Sequence, residues 1–167
     1  MKRGIKYDFS LLALLLIPIG VSIGVVGYQM STILKLPIFV DQIGTMMVAM
    51  IAGPWVGMVT GLLSNVVNGM LNPVSFAFAI VSVLLGLVAG YLSRWRWFTN
   101  IFGIVFGCAI INVVTAVSSA VVSTFVFGGV TGAGTDIMTA ALLATGQALW
   151  TSVFSTNLVT GTINTIV

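Results

Sequence analysis

Charged and reactive side chains are scarce in this sequence. Only 5% of its 167 residues are charged, whereas 59% are apolar. Soluble domains carry roughly 25% charged residues, so a chain of this composition could not cover a surface that faces water. We therefore predict an integral membrane protein whose residues 1–167 form a single domain in the lipid bilayer.

The missing residue types also restrict the chemistry. The chain has no histidine, no glutamate and a single cysteine, Cys108, and its three carboxylates, Asp8, Asp41 and Asp136, are far apart. This inventory excludes a Ser-His-Asp triad, a histidine-ligated zinc, an iron–sulfur cluster and an internal disulfide. It also lacks the G-x-x-x-x-G-K-[ST] loop that cradles ATP phosphates. We expect no catalytic residues, no metal and no cofactor, and hence no enzyme.

Apolar runs divide the chain into segments that predict an all-α bundle of six transmembrane helices. A helix needs about 20 apolar residues to cross a bilayer, and the pairs Gly53-Pro54 and Asn72-Pro73 interrupt the runs. The second and third segments are short, which favours a bent or tilted hairpin there. The predicted helices cover residues 9–33, 41–52, 55–71, 75–92, 100–127 and 136–161.

The basic residues predict the orientation of this bundle. Five of the six fall on one side of six spans: Lys2, Arg3, Lys6, Arg94 and Arg96. Only Lys35 falls on the other side, and the side rich in Lys and Arg is normally cytoplasmic. Both termini are thus predicted to be cytoplasmic, with Asp41 and Asp136 on the external side. We interpret the net charge of +3 as a topology signal rather than as a surface for nucleic acid.

Polar side chains within the apolar segments mark a candidate ligand site. In the third segment, a spacing of three or four residues places one set of small and amide residues on a single helix face: Gly57, Gly61, Asn65, Asn68 and Asn72. Polar groups in hydrocarbon are costly and often functional, although amides also join helices. A ligand role is favoured for Asn68, Asn72 and Gln147, which cluster toward the external side. For Asn65, helix packing and ligand binding remain equally open.

Aromatic residues accompany these amides. Trp150, with Phe76 or Phe78, could form the walls of a pocket for a small, flat, uncharged or weakly charged molecule. Asn and Gln supply both donors and acceptors for the heteroatoms of such a ring. Asp41 begins the second predicted helix, where it could either cap the helix or face the ligand, whereas Asp136 is expected to act as a cap.

Four short motifs in order give the chain a family resemblance. Residues 36–45 read LPIFVDQIGT, residues 53–57 GPWVG, residues 61–65 GLLSN and residues 86–90 GLVAG. This series resembles the substrate-binding S components of energy-coupling factor (ECF) vitamin transporters. The resemblance implies a six-helix, multi-pass protein of the prokaryotic plasma membrane that binds a vitamin-like molecule from outside. It further implies a transmembrane coupling subunit and two cytoplasmic ATPases as partners, whose ATP hydrolysis topples the S component to carry the ligand inward.

The resemblance also suggests particular residues. The family's pocket, built from the loop after helix one and the outer halves of helices four to six, points to Gln29, Asp41, Asn112, Gln147 and Trp150. We add Asn68 from the polar face of the third segment. Gly20 and Gly24 stand where a small-residue motif would meet the coupling subunit, although the same spacing also suits packing inside the bundle. The context of Asp41 favours pyridoxine or hydroxymethylpyrimidine as ligand, with riboflavin, pantothenate and thiamine still open.

Two other functions are compatible with the composition. The chain could be a self-sufficient channel or facilitator for a small neutral solute, assembled as an oligomer through its small-residue faces. It could also be a structural protein of a membrane complex that binds no ligand. ATP-independent flux would favour the first, and ligand binding would exclude the second.

Overall fold

The computed structural model describes residues 9–166, which form helices joined by short segments, with no strand in this part of the chain. A 3-10 turn, Trp97–Thr99, precedes the longest helix. The basic residues Lys2, Arg3 and Lys6, used above to predict orientation, lie outside the described residues. The helices are α1 (Leu11–Leu34), α2 (Gln42–Ala52), α3 (Pro54–Leu71), α4 (Val74–Ala77), α5 (Ala79–Arg94), α6 (Ile101–Phe127), α7 (Thr135–Ala144) and α8 (Leu149–Ile166).

Two of these helices are long and apolar enough to cross a membrane, namely α1 over Leu11–Ile33 and α6 over its whole length. Three more, α2, α5 and α7, are apolar but shorter. The all-α prediction is confirmed for the described residues, whereas the count of six spans and the position of the termini remain predictions.

The distribution of side chains is the reverse of that in a soluble domain. Leu11, Phe102 and Phe125 on the outside of the bundle are 80%, 76% and 77% exposed, whereas Asn65 and Asn68 are 3% and 1% exposed. Soluble proteins seldom expose such large apolar surfaces or bury so many polar groups. Helices that pack in lipid instead expose apolar side chains and place small or polar ones between helices.

Small residues allow the helices of the first half to approach through their backbones. A Cβ on Gly86 of α5 would lie 2.6 Å from the carbonyl oxygen of Gly57 on α3, and one on Gly61 would lie 2.6 Å from that of Ser82. The predicted small-residue face of the third segment therefore packs against α5. The amide residues Asn65 and Asn68 lie farther along α3, toward its C-terminal end.

The predicted docking pair, Gly20 and Gly24, lies inside the bundle rather than on its surface. A Cβ on Gly20 would lie 2.8 Å from the methyl carbon of Thr60, and one on Gly24 would lie 3.0 Å from the carbonyl oxygen of Asp41. Both glycines are buried because they let α2 and α3 pack closely on α1. The exposed face of α1 instead carries larger apolar side chains.

The predicted sixth helix, residues 136–161, is divided in the structure. Helix α7 ends at Ala144 and α8 begins at Leu149. Gly146 between them has a left-handed backbone with φ of 86°, a conformation that glycine adopts readily and that ends helices. Residues 136–161 are largely apolar, so the sequence predicts no interruption between α7 and α8. The predicted fourth helix is also composite, because the short α4 and Phe78 precede α5.

Candidate functional site

An open cavity occupies one end of the bundle. Its empty space amounts to about 990 Å³ when the open solvent at its mouth is included. Helix α5 runs from this cavity, which Phe78 and Val81 line, to Arg94 at its other end. The cavity thus lies at the end of the bundle opposite Arg94 and Arg96.

Two connecting segments meet at the mouth of the cavity. The first, residues 35–41, follows α1, and the second, residues 128–134, joins α6 to α7. A Cβ on Gly134 would lie 2.5 Å from the carbonyl oxygen of Lys35 and 2.6 Å from that of Leu36. The Lys35 ammonium also donates to the carbonyl oxygen of Gly132 over 3.5 Å. Backbone contact therefore couples the position of one segment to that of the other.

Asp136, in the first turn of α7, shapes the second segment. Its carboxylate accepts hydrogen bonds from the backbone N–H of Thr131 at 2.8 Å, from the Thr131 hydroxyl at 2.9 Å and from the N–H of Gly132 at 2.6 Å. The negative charge also lies near the positive end of the helix dipole. Asp136 thus satisfies the amides of the preceding loop, and its oxygens are already engaged although the residue lines the cavity.

Asn65 on α3 lines the cavity from within the bundle. Its amide nitrogen donates to the carbonyl oxygen of Gly61 at 3.0 Å and to the Ser82 hydroxyl at 2.6 Å. A carboxamide has two N–H donors, so these two bonds use both. The side chain therefore joins α3 to α5 and retains its Oδ1 as an acceptor for a ligand.

The facing wall comes from α6, α7 and α8. The hydroxyl of Thr139 donates to that of Thr156 at 3.2 Å. The amide nitrogen of Asn157 donates to the carbonyl oxygen of Val153 at 3.0 Å, which leaves this amide one further N–H and its oxygen. Ser119 and Ser123, one turn apart on α6, add two hydroxyls. This wall can both donate and accept hydrogen bonds.

Aromatic and apolar groups complete the cavity. Phe78 stacks on Phe127, with ring centroids 6.0 Å apart and planes 4° from parallel. Tyr28, Val74 and Val81 also line the space. An aromatic ligand could stack against such a surface while its heteroatoms contact the polar wall.

Of the six predicted ligand residues, Asp41 lines the cavity, and its side chain does not cap α2. Asn72, also favoured above, lies on the wall, where its Oδ1 accepts from the N–H of Val74 at 3.2 Å. Gln29 is half-buried and off the wall, because α1 turns Tyr28, Ser31 and Thr32 toward the cavity instead.

The other four predicted residues also lie off the cavity wall. Asn112 links α6 to α8, since its amide nitrogen donates to Thr162 at 2.7 Å and to the carbonyl oxygen of Leu158 at 3.3 Å. Asn68 is buried between helices, and neither of its amide atoms has a hydrogen-bond partner among the described residues. The break between α7 and α8 leaves Gln147 exposed and places Trp150, 40% exposed, beside Phe125 with ring centroids 6.2 Å apart.

Several wall residues had no distinctive signal in the sequence. Thr131 belongs to a glycine-rich loop, and Thr139 and Thr156 are hydroxyl residues within apolar runs. The spacing of Ser119 and Ser123 by one turn gives a weak indication, as does Asn157 in an otherwise apolar helix. Their convergence on one cavity depends on packing that the sequence does not display.

The chain matches the family model for the substrate-specific component of ECF transporters over residues 12–167. No curated protein and no solved structure matches it. Such components are integral membrane proteins that bind the transported substrate, and they are transport subunits rather than enzymes. They act with the ECF coupling and ATPase modules. Because the match includes every element around the cavity, the chain belongs to the family of ECF transporter substrate-specific components.

Proposed function

We propose that this protein is the high-affinity substrate-binding subunit of an ATP-driven ECF importer for a B-type vitamin or a vitamin precursor. Pyridoxine and hydroxymethylpyrimidine are the best candidates. The proposal depends above all on the open cavity, whose wall combines amide, hydroxyl and aromatic groups within a chain that matches the family over nearly its whole length.

The chemistry of the cavity suits a small heteroaromatic ring. Phe78 offers a flat apolar surface. Asn65 offers an acceptor, its Oδ1, and Asn157 offers both an N–H donor and an acceptor oxygen. Ring nitrogens and hydroxymethyl groups need both kinds of partner, while the ring itself gains from stacking. Pyridine and pyrimidine derivatives combine these features.

Charge supports capture from outside the cell. Arg94 ends α5 and Arg96 follows it before α6, at the end of the bundle opposite the cavity. Loops rich in Lys and Arg are normally cytoplasmic, so the cavity would open to the exterior. The ligand would then enter past the two contacting segments at the mouth.

Transport would require partner subunits. A transmembrane coupling subunit would contact this protein, and two cytoplasmic ATPases would hydrolyse ATP and drive the inward movement of the ligand. Because Gly20 and Gly24 are buried, a coupling subunit that meets α1 would contact its exposed face, which includes Leu15, Ile19 and Val26.

Calorimetry on the purified protein tests the proposal. We would titrate the full chain with pyridoxine, hydroxymethylpyrimidine, riboflavin, pantothenate and thiamine, and expect a Kd at or below micromolar for at least one. Phe78→Ala should weaken that binding because it removes a ring from the cavity wall. Phe125→Ala, which removes an equal ring from the outside of the bundle, should not. Failure of every vitamin to bind below micromolar concentrations would refute the proposal.

The alternative, an oligomeric channel or facilitator, has less support. The small-residue faces that would assemble such an oligomer are used inside the bundle, where Gly57 packs on Gly86 and Gly20 on Gly44. Vesicles that contain this protein without ATPase subunits separate the two functions. An S component should bind the vitamin there without sustained uptake, whereas a facilitator would equilibrate it across the membrane.

A further inference from the structure

We infer that the cavity selects ligands with a protonated, positively charged nitrogen and rejects ligands with a carboxylate at the same position, and that Asp41 sets this preference. The inference rests on the proposed function, because it assigns the class of ligand that the same cavity would bind. Among the candidate vitamins, it favours those with a protonated amine and disfavours those with a carboxylate.

The charges around the cavity are of one sign. Two carboxylates line it, those of Asp41 and Asp136, and its lining includes no lysine or arginine among the described residues. Asp136 is engaged with the N–H groups and the hydroxyl of residues 131–132. Burial raises the pKa of the Asp41 carboxyl to about 6, partly offset by hydrogen bonds from the backbone N–H groups of residues 41 and 42. This carboxyl is therefore largely ionised at neutral pH, and because it does not cap α2, it is the charged group on the wall that can pair with a ligand.

The nearest basic side chain does not offset this charge. Lys35 is exposed at the outer end of α1, and its ammonium contacts the carbonyl oxygen of Gly132 where the two connecting segments meet. It belongs to the rim of the mouth rather than to the wall. Arg94 and Arg96 lie at the opposite end of the bundle. A ligand carboxylate inside the cavity would thus find like charge and no cation.

Asn65 adds a second, independent preference of the same kind. Both of its N–H donors are bonded to Gly61 and Ser82, so it can offer a ligand an acceptor and no donor. Gly24 of α1 lies against both Asp41 and Ser64: a Cβ built on it would be 3.0 Å from the carbonyl oxygen of the first and 3.1 Å from the hydroxyl oxygen of the second. Asp41 is therefore level with the turn of α3 that carries Asn65.

Together these two groups favour a ligand that donates. A protonated amine donates hydrogen bonds and carries the opposite charge to Asp41, whereas a carboxylate can only accept and repels it. Charge interactions are stronger inside a partly desolvated cavity than in bulk water. Discrimination should consequently be large between ligands that share a ring and differ in this one group.

The test uses two matched ligand series on the full chain in detergent. The pyridine series comprises pyridoxamine, pyridoxine and 4-pyridoxic acid; the pyrimidine series comprises hydroxymethylpyrimidine and its aminomethyl and 5-carboxylate analogues. In whichever series binds, calorimetry at neutral pH should give a Kd for the amine at least tenfold below that for the carboxylate. A carboxylate that binds as tightly as the amine would overturn the inference.

Three variants locate the preference. Asp41→Asn should bring the Kd values of amine and carboxylate to within about threefold of each other, while Asp41→Glu should retain the preference. Asp136→Asn makes the same chemical change on the same wall, but should weaken all members by a similar factor because it loosens the loop. An unchanged ratio in Asp41→Asn would assign the discrimination elsewhere and contradict the inference.

The outcomes also separate this inference from the proposed function. Tight binding of pantothenate, a carboxylate, would leave a vitamin-binding S component in place and overturn the charge preference. Absence of binding by both series and by the whole vitamin panel would refute the proposed function itself, and the inference with it. Thermal melting of each variant confirms that a lost affinity is not lost folding.

Discussion

The α-carbon of Gly44 lies against the carbonyl oxygen of Gly20, so that α2 and α1 meet through backbone atoms. A Cβ on Gly44 would overlap that oxygen, and one on Gly20 would lie 2.8 Å from Thr60 on α3. The two glycines thus set the spacing of three helices. Gly20 also belongs to the Gly20-x-x-x-Gly24 pattern, and the sequence alone does not identify which helix packs against that pattern.

Gly44→Ala should strongly destabilise the protein. The added methyl must displace backbone rather than a flexible side chain, and overpacking of this kind costs about 1–3 kcal/mol or more. Gly107→Ala is the matched control on α6, since its Cβ would meet side chains rather than backbone, namely the ring edge of Phe98 at 3.1 Å and a methyl group of Leu92 at 3.9 Å, and alanine favours the helix. Thermal melting in detergent should show a large loss for the first and little change for the second. Equal melting temperatures would contradict the described contact.

Asn68→Leu should stabilise the protein. Within the described part of the chain, both amide atoms of Asn68 are buried without a partner, and a buried unpaired polar group costs about 1–3 kcal/mol. Leucine has the same number and branching of side-chain heavy atoms but no polar group, and so avoids that cost. Asn65→Leu on the same helix should do the opposite, because it removes the bonds to Gly61 and Ser82.

Melting temperatures of these two asparagine variants give a direct comparison. A rise for Asn68→Leu and a fall for Asn65→Leu is the expected result. A marked fall for Asn68→Leu would mean that this amide is paired in the protein, for example through a bound water or a ligand.

Gly134→Ala should weaken ligand binding about tenfold or more. Its methyl would press on the carbonyl oxygens of Lys35 and Leu36, 2.5 and 2.6 Å away, and so separate the two segments at the mouth. Ala140→Ser, at an exposed position of α7 outside the cavity wall, is the control and should bind normally. Calorimetry with the tightest vitamin of the panel measures both. Wild-type affinity in Gly134→Ala would show that contact between the segments does not matter for binding.

Part of this architecture could be predicted from the sequence. Apolar length and Pro or Gly breaks located α1, α3 and α6 to within a few residues, because these helices begin and end at strong signals such as Gly53-Pro54 and Gly128. The family resemblance is confirmed by the match over residues 12–167. Asp41 was selected because the family resemblance places the loop after helix one in the ligand pocket, and it lies on the cavity wall.

The remaining site residues depend on features that a linear pattern does not contain. The segment around Gly146 is apolar on both sides, so the sequence predicts one continuous helix over residues 136–161. It gives no sign of the interruption at Gly146 that exposes Gln147. Asn112 satisfies the same criterion of a polar group in an apolar helix as Asn157, yet it faces Thr162 instead of the cavity. Which face of a helix meets an open space follows from the packing of all its neighbours.

This difference between two carboxamides can be measured directly. Asn157→Ala should reduce affinity about five- to tenfold, since it removes a buried group on the cavity wall that retains hydrogen-bonding capacity. Gln147→Ala makes an equivalent truncation in the exposed segment before α8 and should leave affinity within about twofold of the wild type. Because the hydrogen bond from Asn157 to the carbonyl oxygen of Val153 lies within one turn of α8, its loss should leave the melting temperature nearly unchanged. If Gln147→Ala abolished binding while Asn157→Ala did not, the ligand would bind near the α7–α8 break and not in the cavity described here.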